Sequence, residues 1–151
     1  MDSNIYEFNA ASTIALYADF IDGCPNDIVV VLSSDPLTSE ARTALANSAE
    51  RLGYGEGTCA WVTLSPNSGE GPTLGAMDVR TIVEGLDPAA CIATDAQASA
   101  SLAEAYEKAA EPDAHTRILG RDFIYFTEFE SMLADSDQKQ RAWALLKKMA
   151  R

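Results

Sequence analysis

Asp27–Glu40 reads DIVVVLSSDPLTSE, and its first half decides the fold. Five apolar residues, Ile28 to Leu32, stand without a break between a Pro-Asn-Asp turn signal and a polar Ser-Ser-Asp-Pro turn. An unbroken, β-branched run of this length suits a strand buried on both faces, as at the centre of a parallel sheet. In open α/β sheets the turn at the carboxyl end of such a strand is where ligands bind. After it, Leu37, Ala41, Leu45, Ala49 and Leu52 recur at helical spacing and Gly53 closes the run. Asp35 or a preceding serine is the expected cap, with Pro36 at the first helical position.

Working outward, the same alternation continues. Upstream, Ile5, Phe8, Ile14, Leu16, Tyr17 and Phe20 predict a helix from about Glu7 to Ile21, ended by Gly23 and Pro25. Downstream, CAWVTL (59–64) and AACIAT (89–94) predict short strands, with a short helix around Met77–Leu86 between them. The Ser/Pro/Asn/Gly-dense stretch 65–75 reads as a loop, either a lid or plain surface. Asp95 stands where a cap should for a helix over 96–110, and EPDAHT (111–116) reads as a loop. RILGRDFIYF (117–126) reads as a bulged strand or a hairpin. A helix or broken helix over 127–148 closes the chain, with Ser136-Asp137-Gln138 capping its second piece. This order predicts one α/β domain spanning 1–151: an N-terminal helical segment (1–26) and a core (27–151). The core is a three-layer α/β/α stack on a mostly parallel four-stranded sheet.

Composition sets limits. The chain has 151 residues, enough for one domain with a real core. No apolar run approaches the roughly 20 residues that span a bilayer, and the acidic start MDSNIYEFNA is unlike a secretory signal. The expected setting is cytoplasmic, without membrane contact. Residues 1–115 carry 4 basic against 18 acidic residues, a net of −14, while 116–151 carry 7 against 5, a net of +2. Such acidity disfavours nucleic acid, whose affinity comes largely from neutralised phosphates. Only the basic C-terminal helix makes anion binding electrostatically easy.

Little in the motifs points to chemistry. The turn after Leu32 has no glycine for a phosphate cradle, and no GxSxG elbow is present. Cys24, Cys59 and Cys91 lie far apart beside apolar runs and read as buried reduced thiols. His115 alone would have to carry any histidine chemistry. Asp35, Asp95 and Glu128 each follow a strand's carboxyl end, so they could share one rim and serve acid–base work or a cation. Helix capping alone would also explain Asp35 and Asp95.

Several stretches resemble the uracil-DNA glycosylase superfamily, in particular its bacterial iron–sulphur branch. The family's Gly-Glu-Ala-Pro-Gly motif falls on Ser33-Ser34-Asp35-Pro36-Leu37, where Pro36 matches. In IVEGLDPAACIATDAQAS (82–99), Leu86, Pro88 and Ala98 match, and Thr94-Asp95 replaces a Leu-Gly. The closing helix KQRAWALLKKM (139–149) is similar to the family's, with Lys139 and Trp143 in place. Counting back from them sets Met132-Leu133 on the paired leucines and Glu128-Phe129 on the family's His-Pro.

The resemblance covers about 28–149 and implies an ancestral pocket formed by Ser33, Ser34, Asp35, Pro36, Thr94, Asp95 and Glu128. It also implies lost chemistry. The water-activating acid or asparagine is replaced by Ser34, and the histidine that stabilises the uracil anion is replaced by Glu128, which would repel it. The four cluster cysteines are missing, so no cofactor, metal or catalytic residue is expected. The implied role is a non-catalytic module that binds a protein partner, a use to which a small subunit of the bacterial replicative polymerase puts this fold. The alternative is a nucleobase- or nucleoside-type small-molecule binder or hydrolase in the same pocket. An open pocket would favour the second reading, and one filled by Phe129 or Leu37 the first.

Overall fold

A computed structural model describes residues 3–151, with side chains from Asn9 onward, so the apolar positions Ile5 and Phe8 lie outside the described side chains. The buried run after Asp27 is strand β2 (Val29–Ser33), all five residues of which are buried. It pairs in parallel on one side with β3 (Cys59–Thr63) and on the other with β4 (Ala90–Ala93), Val31 facing Trp61 and Ile92. β4 pairs in parallel with β6 (Arg121–Tyr125). With no face open to water, β2 has no need of polar alternation, which is why its sequence is continuous.

The sheet has six strands and is mixed, which corrects the expected four-stranded, mostly parallel sheet. Its order is β1 (Ile21–Asp22), β3, β2, β4, β6 and β5 (Ala114–Ile118), and both outer strands run antiparallel. β1 is only Ile21–Asp22, laid against Val62 and Trp61 of β3. The predicted first helix therefore ends early: α1 spans Ser3–Leu16, and residues 17–20 turn the chain so that it can cover the outer edge of β3. Leu16, placed on the apolar stripe by its spacing, is 73% exposed. β5 (Ala114–Ile118) pairs with β6 through a two-residue turn, Leu119-Gly120, both at positive φ. That is the geometry whose twist suits a hairpin, so the hairpin reading holds and His115 lies on a strand.

Helices cover both faces. On one, α3 (Ala76–Leu86) and α4 (Ala96–Ala105) pack with α1 over Val30, Leu32, Val62, Cys91 and Phe123. On the other, α2 (Ser39–Arg51), α5 (Phe129–Met132), α6 (Ser136–Leu146) and a closing 3₁₀ turn (Lys147–Met149) pack over Val29, Val31, Ile92 and Ile124. Alternate residues of each central strand feed opposite cores. Thr38, not Asp35, caps α2: its hydroxyl accepts from Ala41 N at 3.1 Å. Pro36 therefore lies in the connecting bend. Among the described residues no helix is long and apolar enough to cross a membrane.

Gly85 shows how α1 docks. A Cβ there would collide with the Thr13 side chain of α1, so only glycine lets α3 approach this closely. Gly85→Ala is expected to cost roughly 1–3 kcal/mol by overpacking, and Thr13→Ala should recover part of it. Urea unfolding of the single and double variants checks this.

Candidate functional site

Three consecutive parallel strands, β2, β4 and β6, end at one edge of the sheet, and their following turns meet there. Between them lies an open cleft of about 310 Å³. Its walls include Ser34, Asp35 and Leu37 from the first turn, Thr94 to Gln97 from the second, and Thr127, Glu128 and Glu130 from the third. Five of the expected residues are thus brought together: Ser34, Asp35, Thr94, Asp95 and Glu128. Ser33 is the buried last residue of β2, its carbonyl accepting from Leu64 N at 2.8 Å. Neither it nor Pro36 lines the cleft. No residue of the 65–75 loop lines the cleft either; within that loop the Ser65 and Thr73 hydroxyls lie 2.9 Å apart.

Asp95 is the centre of the arrangement. As N-cap of α4 its Oδ1 accepts from Ala98 N at 2.8 Å. The same oxygen accepts from the Ser34 hydroxyl at 2.5 Å, and Oδ2 accepts from Ser34 N at 2.9 Å. One carboxylate thereby caps a helix and ties together two turns that are 61 residues apart in sequence. Thr94 is similarly committed: it is 1% exposed, and its hydroxyl donates to Leu32 O at 3.2 Å. The third turn is fastened by Phe129 N to Thr94 O, 2.9 Å, and by a backbone bridge between Asp95 and Glu128. Glu130, which sequence reasoning missed, accepts from Thr38 N at 3.0 Å and so holds the start of α2. Its only sequence signal was its place two residues after Glu128.

Ser34 donates to Asp95, whose carboxylate also caps α4, so both side chains are held in the joint between the two turns. His115 sits on β5, its Nε2 2.7 Å from Asp122 Oδ1, and does not line the cleft. Among the described residues no His, Cys, Asp or Glu side chains are grouped to hold a metal ion. No protein-family model matches the chain, and no curated protein matches it.

The cleft is electronegative. Asp35, Asp95, Glu128 and Glu130 line it without one basic side chain. Partial burial, then the charges of Asp95 and Glu130, push the Glu128 carboxyl above its ordinary range. The folded state therefore takes up this proton more readily than the unfolded one. Ionised Glu128 costs stability at neutral pH, and the cost vanishes as pH falls through the raised value. Glu128→Gln should raise Tm slightly at neutral pH and leave it unchanged well below the carboxylate range, as thermal unfolding at both pH values would show.

The cysteines offer no second centre. Burial pushes the thiols of Cys59 and Cys91 up to about 12, leaving them protonated. Of the three thiols expected to be buried only Cys91 is; Cys59 is partly buried, and Cys24 is exposed because the Gly-Cys-Pro segment holds it outside both cores. A larger groove, about 520 Å³, runs between α2 and the α5–α6 pair on the opposite side of Phe129. Phe129 faces that groove and its core, leaving the acidic cleft unfilled.

Proposed function

We propose that this chain is a non-catalytic domain of the uracil-DNA glycosylase type that serves as a binding module, set in the cytoplasm. In this reading the acidic cleft receives a basic side chain of a protein partner. The observation that carries the reading is the Ser34–Asp95–Ala98 joint, which ties the serine standing at the water-activating position into a helix cap. A run of four parallel strands at the centre of the sheet supports the kinship, and the carboxylates supply a field that attracts cations and repels a uracil anion or a phosphate. Three unpaired thiols suit a reducing compartment.

A thermal-shift screen tests the reading, since a ligand that binds only the folded state raises Tm. An arginine-rich peptide should stabilise the wild type, less so at high salt, and should fail with the Asp35→Asn/Glu128→Gln variant. Uracil, uridine and mononucleotides should do nothing. One observation favours the second reading, a small-molecule binder or hydrolase: the cleft is open. Stabilisation by uracil or uridine, lost with Asp35→Asn/Glu128→Gln, would establish it in place of the first.

A further inference from the structure

The α2–α6 groove has the make-up of a second ligand site, of opposite charge preference to the cleft. Its floor is apolar: Phe129 and Leu146 are each 2% exposed, and Leu133 and Trp143 are half-buried beside them. Arg51, from the last turn of α2, lies with its guanidinium carbon 4.8 Å from the centroid of the Trp143 ring. A guanidinium held over a ring in this way keeps N–H groups for a planar, bidentate acceptor. Lys139 stands on the rim from α6. Among the described residues neither cation has an ion-pair partner; the rim's one carboxylate, Glu40, makes no salt bridge to either.

Two unpaired cations over an aromatic and aliphatic floor are conspicuous on a chain of net charge −12. They lie where the basic C-terminal segment meets the core, the part of the sequence most favourable to anions. The groove's 520 Å³ falls within the range typical of small-molecule sites, which are likewise largely apolar with a few polar groups fixing orientation. We infer that this groove binds a small amphipathic carboxylate, its ring or chain on Phe129, Leu146 and Trp143 and its carboxylate held by Arg51 and Lys139. This inference is independent of the acidic cleft.

The test uses 2-naphthoate as probe and 2-naphthalenemethanol as its uncharged twin, with binding followed through the indole N–H resonance of Trp143 in the whole chain. Saturable movement of that resonance by the naphthoate is expected, with the alcohol at least tenfold weaker. Arg51→Gln/Lys139→Gln should weaken naphthoate at least tenfold while leaving Tm within a degree or two of wild type. If that variant is poorly folded, Arg51→Lys, which keeps the charge and loses the fork, should weaken naphthoate more than the alcohol. No saturable shift, equal affinity for acid and alcohol, or shifts confined to Trp61 would overturn the inference.

Discussion

Asp95→Ala is expected to unfold at a temperature roughly 10 °C below wild type, a loss of roughly 3 kcal/mol at about 2–4 °C per kcal/mol for a chain of this size. The loss has two sources. Removing an N-cap carboxylate costs about 1 kcal/mol, and here it also strips the Ser34 N–H and hydroxyl of a charged acceptor, each such bond being worth roughly 1.5–3 kcal/mol before non-additivity. Asp35→Ala is the control. Asp35 is exposed and lies in the same cleft, so its loss should stay within about 0.5 kcal/mol. Ser34→Ala should fall between them. Equal, small effects of Asp95→Ala and Asp35→Ala would mean that the joint is not structural and that Asp95 is free for other work.

Phe123→Ala is expected to cost still more, roughly 3–5 kcal/mol, as for other fully buried aromatics. Phe123 is fully buried on β6, between Tyr106 at 5.2 Å and Tyr125 at 6.4 Å, both edge-on. It belongs to the core under α3 and α4, away from the cleft walls. Its loss should therefore lower the urea midpoint without altering the response to a basic peptide in whatever fraction remains folded. Phe123→Leu, which keeps most of the volume, should lose about 1.5 kcal/mol or less. A cost below 1 kcal/mol for the alanine variant would contradict the packing described above.

How far the sequence could be read depended on whether a residue's state is set locally. β2 was legible because burial on both faces leaves an unbroken apolar run, and α2 because alanine and leucine alternate along one face. The start of α2 was misplaced since Asp35-Pro36 offers as good a local cap as Thr38, and only the Thr38–Ala41 bond in the folded chain decides between them. β1 could not be seen at all: two residues form a strand only because β3 lies beside them. The hairpin was left open because a leucine, Leu119 at φ 52°, occupies a turn position where asparagine or aspartate would have signalled it. At the cleft, Asp95 was readable as a cap. Its bonds to Ser34 were not, being a product of two turns meeting in space.

The most direct test of the central claim, that the scaffold holds no glycosylase chemistry, is uracil release from a single-stranded, uracil-containing oligonucleotide by the purified chain. With Ser34 bound to Asp95 and, in the proposed reading, Glu128 in place of the anion-stabilising histidine, release should not exceed the background without protein, at any pH from 5 to 9. Release above background that is abolished by Asp95→Ala or Glu128→Gln would contradict it.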